Sequence, residues 1–279
     1  MIVENTIKQA SQILKKQNIN SHQLDAELLL SHVMGVTREF LILNNNSIIS
    51  KKIGKKYEDV IKRRSSREPI AYIVGKKEFW GQNFIVNKST LVPRPETELM
   101  LYKLIKFFKN KQINILDIGT GSGCILLSLL KELKNSRGIG IDVSNLAIKI
   151  AIKNSKNLDL FYRSKFKVFD INKFIFGKYD LIVSNPPYIP SRNIKNLSKD
   201  ISNYEPAVAL NGGKDGLDQV KKVIYKSHRL LKKNGLLAIE IGTQQYLKVS
   251  NLICKYGYRE SDKECDYGGN VRCIISTKV

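Results

Sequence analysis

The stretch Ile113-Asn114-Ile115-Leu116-Asp117-Ile118-Gly119-Thr120-Gly121-Ser122-Gly123 places a glycine-rich loop between a short apolar run and a helical pattern. Glycines let the backbone turn tightly and approach a ligand closely. Asp142 ends the next apolar run, about twenty residues further on, where a carboxylate can accept hydrogen bonds from both hydroxyls of a ribose. The stretch therefore predicts the first strand and the ligand loop of a nucleoside-binding α/β sheet.

The glycine loop alone fits two nucleoside cofactors, NAD and S-adenosylmethionine. A dinucleotide-binding fold expects G-x-G-x-x-G, so that the pyrophosphate meets the N-terminus of the helix. Here the glycines follow the order G-x-G-x-G behind the acidic Asp117. An acidic loop disfavours a pyrophosphate and favours a ligand that carries an ammonium and a sulfonium, so we expect a methyl donor.

Apolar runs alternate with helical patterns from residue 113 onward, which predicts a mostly parallel, doubly wound sheet. The expected strands lie at residues 113–118, 138–143, 166–169, 179–184 and 235–241, near Tyr258, and at 271–276. A loop rather than a helix separates the last two, so we expect them to form an antiparallel pair.

A second polar motif, Asn185-Pro186-Pro187-Tyr188, follows the apolar run at residues 179–184. The prolines hold the Asn185 side chain and the Pro186 carbonyl at the carboxyl end of a strand, where open α/β sheets bind ligands. These two acceptors suit both N–H groups of a planar amine, on which Tyr188 can stack. The motif resembles the signature of amino-methyltransferases, and it leaves the acceptor open: adenine in nucleic acid, or the side-chain amide of glutamine.

Residues 1–68 show the spacing of four short helices. Gly35 is expected to end the second helix, Thr37 is expected to cap the third, and the fourth is expected to begin at about Ser50. A helical module ahead of an α/β domain indicates a unit that recognises a partner. The alternative is a buttress for the main sheet.

Pro69 breaks the helical pattern, and the β-branched and aromatic residues around Gly75 predict a hairpin. The expected organisation is therefore a helical domain at residues 1–68, a connecting β-hairpin at 69–90 and an α/β domain at 91–279.

The formal net charge of +22 raises the question of nucleic-acid binding. Lysines are spread along the whole chain and outnumber arginines, which indicates compositional bias rather than a phosphate-binding face.

The cysteines lack C-x-x-C pairing and the histidines lack ligand-like spacing, so we expect neither a metal site nor a disulfide framework. No run approaches the roughly 20 apolar residues of a membrane span. Because no secretion signal follows Met1, a cytoplasmic protein is expected.

Seven motifs occur in one order along the chain: Pro69-Ile70-Ala71-Tyr72-Ile73-Val74-Gly75, Glu78-Phe79-Trp80-Gly81, Val92-Pro93-Arg94-Pro95-Glu96-Thr97-Glu98, the glycine loop, Asn185-Pro186-Pro187-Tyr188-Ile189, Tyr204-Glu205-Pro206 and Gly212-Gly213-Lys214-Asp215-Gly216-Leu217. The ordered set resembles the release-factor glutamine methyltransferase (HemK-like) family over essentially the full chain. The resemblance implies a class I S-adenosylmethionine-dependent methyltransferase fold, Rossmann-like, with a helical N-terminal domain for substrate recognition. It also implies methyl transfer to the N5 amide nitrogen of the glutamine in the Gly-Gly-Gln motif of class-1 peptide-chain release factors.

The resemblance also implies roles for individual residues. The methionine part of the donor would contact the loop residues Gly119, Thr120, Gly121, Ser122 and Gly123. Asp142 would hold the ribose, and Ile171 would border the adenine, where family members often carry an aromatic residue. Asn185 would contact both donor and substrate; Pro186, Pro187 and Tyr188 would complete the glutamine pocket, with Asn185, Pro186 and Tyr188 as the catalytic set. Arg94 and Glu96 would line the donor entrance, and Glu205 would brace a loop beyond it.

Two other classes of function remain open at this point. An N6-adenine methyltransferase of nucleic acid would explain both the tetrapeptide and the positive charge, but the sequence offers no obvious base-reading module. A non-catalytic, RNA-associated protein would retain the fold only, and the intact Asn185 argues against it. We expect a monomer whose partner is a release factor and which does not require direct nucleic-acid binding.

Overall fold

Helices form the first part of the chain in the computed structural model, which describes residues 1–279. They are α1 (Val3–Lys16), α2 (His22–Met34), α3 (Arg38–Leu43), α4 (Lys51–Ser65) and α5 (Ile70–Val74).

The predicted boundaries of α2, α3 and α4 are confirmed. Gly35 ends α2 with φ 70°, in the left-handed region that glycine adopts without a Cβ penalty. The hydroxyls of Thr37 and Ser50 accept hydrogen bonds from the N–H groups of Phe40 and Ile53. Each hydroxyl therefore satisfies one unpaired donor at the start of a helix.

Helix α5 shows that the strand expected before Gly75 was wrong. Its backbone turns back on the Pro69 carbonyl, which accepts a 2.9 Å hydrogen bond from Tyr72 N–H. Burial of its side chains outweighs the strand propensity of its residues. The hairpin itself lies further on, formed by β1 (Lys76–Phe79) and β2 (Gln82–Ile85), and Trp80 and Gly81 make its turn at positive φ.

Helices and strands alternate beyond the hairpin. In chain order they are α6 (Pro95–Phe108), β3 (Asn114–Ile118), α7 (Cys124–Glu132), β4 (Arg137–Asp142), α8 (Asn145–Asn157), β5 (Ser164–Val168), β6 (Tyr179–Ser184), α9 (Lys199–Ser202), α10 (Asp218–Leu230), β7 (Leu231–Glu240), α11 (Tyr246–Lys255), β8 (Tyr258–Cys265) and β9 (Val271–Lys278).

Strands β3 to β9 form one seven-stranded sheet with the order β5-β4-β3-β6-β7-β9-β8. Strands β3 to β7 pair in parallel, whereas β9 is antiparallel to both β7 and β8. The prediction of a mostly parallel sheet that ends in an antiparallel pair is therefore confirmed. Chain order reverses between β3 and β6, so the carboxyl ends of these strands meet at a topological switch point.

Alternate side chains of each central strand enter two separate apolar clusters. Ile115 and Leu181 join the cluster that contains residues of α6 and α7, whereas Leu116 and Ile182 join the cluster that contains residues of α10 and α11. The sheet is therefore covered by helices on both faces, as a doubly wound fold requires. None of the helices combines the length and apolar character needed to cross a bilayer.

The chain divides into two compact units. One comprises Met1–Lys76 and Ser198–Tyr204, and the other comprises Lys77–Leu197 and Glu205–Val279. The domain limits expected from the sequence, at residues 68 and 90, remain a prediction.

Arg64 is the central polar residue of the first unit. Its side chain is 6% exposed and forms ion pairs with Asp25 at 2.7 Å and with Asp200 at 2.8 Å. The hydroxyl of Tyr204 donates to the carbonyl oxygen of Ser66 at 2.8 Å. These contacts tie the segment Ser198–Tyr204 to the helices of its unit.

Substituting Arg64→Met should destabilise the first unit by about 3–5 kcal/mol, because it leaves the carboxylate of Asp25 buried without its cation. Urea denaturation followed by circular dichroism measures this loss. Arg38→Ala is the matched control: its pair with Glu27 has a half-exposed cation, and we expect a loss below about 1 kcal/mol. Equal losses in the two variants would contradict the prediction.

Candidate active site

The glycine loop between β3 and α7 lines a cavity at the carboxyl end of the sheet. Gly119, Gly121 and Gly123 have φ of 73°, 55° and 81°, in the left-handed region. A Cβ at Gly119 or Gly121 would meet no atom within 4 Å, whereas one at Gly123 would lie 3.2 Å from the side chains of Leu127 and Phe166. The first two glycines therefore present backbone to the cavity, and the third allows close packing of the loop.

Backbone N–H groups hold the carboxylate of Asp142 at the end of β4. Its Oδ2 accepts from Gly121 N–H at 3.0 Å, and its Oδ1 accepts from Ser144 N–H at 2.9 Å. Burial raises the pKa of Asp142, and these hydrogen bonds oppose the shift. Each carboxylate oxygen keeps further capacity to accept a hydrogen bond from a hydroxyl in the cavity.

Asp117, near the end of β3, is a fully buried carboxylic acid. Its Oδ2 accepts a 2.6 Å hydrogen bond from the hydroxyl of Thr120, whereas its Oδ1 has no hydrogen-bond partner. Burial raises the pKa of Asp117 from 3.8 to about 7, although the Thr120 hydrogen bond acts in the opposite direction. An incompletely satisfied carboxylate at the start of the loop favours a positively charged ligand over a pyrophosphate.

Strand β6 brings the Asn-Pro-Pro-Tyr motif to the same edge of the sheet. Ile118 of β3 is in register with Ser184 of β6, and the Ser184 hydroxyl donates to the Ile118 carbonyl at 2.8 Å. Gly119 is the first residue after β3 and Asn185 is the first residue after β6. The two residues therefore lie side by side at the carboxyl end of the sheet.

A second glycine-containing loop packs against the backbone of this motif. A Cβ at Gly212 would lie 2.8 Å from the Pro187 carbonyl oxygen, and one at Gly216 would overlap the Tyr188 carbonyl oxygen. The side-chain amide of Gln245 also donates to the Tyr188 carbonyl at 2.9 Å. Close approach to the tetrapeptide therefore explains the glycines at positions 212 and 216.

A chain of polar side chains connects the motif to the interior. Asn185 Nδ2 donates to Thr97 Oγ1 at 3.4 Å, and the Thr97 hydroxyl donates to Glu240 Oε2 at 2.6 Å. The Tyr188 hydroxyl lies 3.3 Å from Glu240 Oε1 and accepts from Arg272 Nη2 at 3.0 Å. Glu240 is 1% exposed. Burial raises the pKa of its carboxyl group, whereas the Thr97 hydrogen bond and the charge of Arg272 lower it.

The cavity has a volume of about 300 Å³, and most residues of the predicted site line it. The predicted residues that line it are Gly119, Thr120, Gly121, Ser122, Asp142, Ile171, Asn185, Pro186 and Pro187. Gly123 and Tyr188 are not part of the lining: Gly123 packs against side chains, and Tyr188 is held by Arg272 and Glu240. The individual roles assigned to all these residues remain predictions.

Arg94 also lines the cavity, and its guanidinium forms an ion pair with Glu205 at 2.6 Å. Glu205 is buried, so it holds the arginine from one side. Glu96, which was expected beside Arg94, is exposed in the first turn of α6 and is not part of the cavity lining.

Sequence reasoning missed three residues of this region: Phe169, Thr97 and Glu240. Phe169 lines the cavity two residues before Ile171 and stacks edge-on against Phe174, with ring centroids 5.4 Å apart. It therefore supplies an aromatic wall beside the position where the family pattern expects one. Glu240 carried a usable signal, because an acidic residue at the end of an apolar strand in a parallel sheet points to a site.

The fold and the cavity define a methyltransferase: residues 109–274 match the methyltransferase domain family, and residues 5–75 match the PrmC N-terminal domain family. Two curated relatives of the chain are named release factor glutamine methyltransferase. The relative from Buchnera aphidicola subsp. Schizaphis graminum is 41% identical over 271 residues, which cover 95% of this chain and 96% of the relative. The relative from Rhodospirillum rubrum is 36% identical over 265 residues, which cover 95% and 82%. The chain therefore belongs to the release factor glutamine methyltransferase family, and the resemblance stated from its motifs is confirmed.

Solved structures show the same fold at low sequence identity. A methyltransferase from Pyrococcus furiosus matches with a TM-score of 0.54 and 20% identity, covering 79% of this chain and 97% of that one. A ribosomal protein L11 methylase from Lactobacillus delbrueckii subsp. bulgaricus matches with a TM-score of 0.50 and 18% identity, covering 66% and 79%. The predicted class I methyltransferase fold is therefore confirmed.

Asp117→Asn should stabilise the protein at pH 8. Between the ordinary pKa of 3.8 and the folded value of about 7, the unfolded chain has released the proton that the folded chain still binds, so stability falls as pH rises through this window. Asparagine does not ionise, so the variant does not lose stability in this pH range. We expect a gain on the order of 2 kcal/mol at pH 8, or a rise in Tm of about 4–8 °C.

Thermal unfolding of both proteins at pH 4 and pH 8 tests this stability prediction. The gain of the variant should shrink at pH 4, where Asp117 is protonated in the folded chain and its charged form no longer has to be buried. A variant that is less stable than wild type at pH 8 would contradict the assignment of a buried carboxylate whose ionisation is unfavourable.

Proposed function

We propose that the protein transfers the methyl group of S-adenosylmethionine to the N5 amide nitrogen of the glutamine in the Gly-Gly-Gln motif of class-1 release factors. The observation that carries this proposal is the position of Asn185 and Pro186 beside the glycine loop in one cavity. That arrangement lets one pocket hold a nucleoside donor and a planar amide. Membership in the family supports the choice of glutamine over adenine as the acceptor.

On this proposal the loop residues Gly119, Thr120, Gly121 and Ser122 bind the methionine part of the donor, which supplies a methyl group activated by a sulfonium. Gly123 allows the loop to pack. The open space above Gly119 and Gly121 fits a ligand that lies directly on the backbone.

The nucleoside part of the donor is assigned to the other side of the cavity. Asp142 accepts hydrogen bonds from the ribose hydroxyls with the acceptor capacity that remains on its oxygens. Ile171 borders the adenine, with Phe169 nearby as the aromatic surface. The acidic Asp117 contributes negative potential that favours the cationic donor.

The acceptor amide is assigned to the tetrapeptide. Its two N–H groups donate to the Asn185 side-chain oxygen and the Pro186 carbonyl, which directs the nitrogen lone pair toward the methyl group. Pro187 stiffens this wall. Tyr188, whose hydroxyl is bound by Arg272 and Glu240, holds the end of the tetrapeptide from outside the cavity lining and is proposed to meet the flat amide only if its ring turns toward the cavity. Positioning and electrostatics then account for catalysis without a strong general base.

The helical N-terminal unit is assigned to recognition of the release factor, and the enzyme is proposed to act as a monomer in the cytoplasm. Direct binding of nucleic acid is not required by this proposal. The high positive charge is then a property of composition.

Label transfer tests the proposal. The protein is incubated with methyl-labelled S-adenosylmethionine, a class-1 release factor and competing DNA in one tube, beside a release factor whose Gly-Gly-Gln glutamine is replaced by alanine. We expect label on the wild-type release factor alone. Label on both release factors would refute the glutamine assignment, and label on DNA would support the adenine alternative.

Asn185→Ala should lower kcat by about 10²-fold or more, because it removes a preorganised polar contact to the reacting group. Affinity for the donor, measured by isothermal titration calorimetry, should fall much less. Asn157→Ala, at an exposed position at the end of α8, is the matched control and should retain wild-type turnover. A variant of Asn185 that keeps more than a tenth of wild-type kcat would contradict its assigned role.

A further inference from the structure

We infer that Glu240, acting through Thr97, sets the orientation of the Asn185 side-chain amide and thereby aims its oxygen at the acceptor. Glu240 is thus a positioning residue. The inference rests on the proposed function, since it specifies how the Asn185 oxygen becomes available to a substrate N–H group.

The position of Glu240 follows from the sheet. It is the last residue of β7, and β7 pairs in parallel with β6 so that Ile239 is opposite Ser184. Glu240 therefore reaches the carboxyl end of the sheet beside Asn185. Thr97, in the first turn of α6, lies between the two side chains and is 3% exposed.

The chemistry of these groups fixes the direction of the hydrogen-bond chain. Both oxygens of Glu240 accept from hydroxyl groups, Oε2 from Thr97 at 2.6 Å and Oε1 from Tyr188 at 3.3 Å, so the single proton of the Thr97 hydroxyl is committed to Glu240. Thr97 Oγ1 can then only accept from Asn185. The Asn185 amide must therefore direct its Nδ2 toward Thr97, at 3.4 Å, and its Oδ1 away from it.

A flipped Asn185 amide is unfavourable because it would place Oδ1 against the lone pairs of Thr97. Without Glu240 or without the hydroxyl, this discrimination is lost. The amide would then present an NH₂ group or an oxygen to the acceptor with similar ease, and only the oxygen can accept a substrate N–H.

The second oxygen of Glu240 anchors the other end of the motif. Tyr188 lies three residues after Asn185, and its hydroxyl is 3.3 Å from Glu240 Oε1. Arg272 donates to the same hydroxyl at 3.0 Å, and its guanidinium lies 5.6 Å from the centre of the Tyr188 ring. One buried carboxylate therefore holds both ends of the tetrapeptide, and the nearby guanidinium favours its ionised form.

Orientation matters here because the proposed reaction depends on placement rather than on proton transfer. Loss of the chain should therefore lower kcat more than it raises the KM for release factor or the Kd for the donor. A role limited to folding would instead lower Tm, with kcat per folded molecule unchanged.

Thr97→Val tests the inference with a nearly isosteric change that removes only the hydroxyl. We expect kcat to fall about 10- to 50-fold, with KM and the donor Kd within threefold of wild type. Thr97→Ser restores the hydroxyl and should recover most of the lost kcat. Glu240→Gln keeps the shape of the carboxylate but can donate to Thr97, so its kcat should fall at least tenfold.

The matched control is Thr277→Val, which removes a hydroxyl that bonds Ser261 at the far end of β9. It should leave kcat unchanged. The inference is overturned if Thr97→Val retains more than a third of wild-type kcat, if serine and valine at position 97 lose activity equally, or if the loss lies wholly in KM or in the donor Kd.

A second measurement does not depend on the acceptor. The side-chain ¹⁵N–¹H₂ signals of Asn185, assigned from their loss in Asn185→Asp, should shift in Thr97→Val and in Glu240→Gln but remain near wild type in Thr97→Ser. Unshifted signals would refute the inference. If the signals shift as expected but wild type does not label the release factor, the acceptor in the proposed function is wrong and the orienting chain stands.

Discussion

The parallel pairing of β3 with β6 is the constraint on which the rest of the site depends. It joins two strands that are separated in sequence by two further strands and two helices, and it places Ser184 opposite Ile118 with a side-chain hydrogen bond between them. Because chain order reverses at this pair, the loops that follow the two strands diverge and open a crevice between them. The glycine loop and the Asn-Pro-Pro-Tyr motif therefore face a single cavity.

Two carboxyl groups are buried at this edge of the sheet. Their burial lowers the stability of the protein, but it also places an acidic group at each part of the site. Asp117 and Glu240 are both excluded from solvent, and burial raises the pKa of each carboxyl group. The two sites differ in their neighbours. Asp117 has one hydroxyl donor and no cation beside it, whereas Glu240 has Thr97, Tyr188 and the charge of Arg272. The first arrangement favours a positive ligand, and the second favours a fixed hydrogen-bond network.

Local patterns were sufficient for most elements and failed where packing decided the outcome. The helix ends at Gly35, Thr37 and Ser50 follow from capping chemistry that acts within four residues. Residues 71–74 have strand propensity but form a helix, because burial of their side chains outweighs a weak local preference. Position Ile171 was found through its family pattern, whereas Phe169 was missed because nothing in the sequence distinguishes it from a core residue.

The sequence by itself determined the doubly wound sheet, the glycine loop with its acidic partner and the tetrapeptide, since each depends on residues close together in the chain. Only the tertiary structure decided which side chains meet. Thr97, Asn185 and Glu240 come from a helix, a loop and a strand far apart in sequence, and their hydrogen bonds depend on strand order and helix placement. Likewise, Tyr188 turns toward Arg272 and Glu240 and is not part of the cavity lining. Such contacts are set by packing at long sequence separation, which spacing along the chain does not encode.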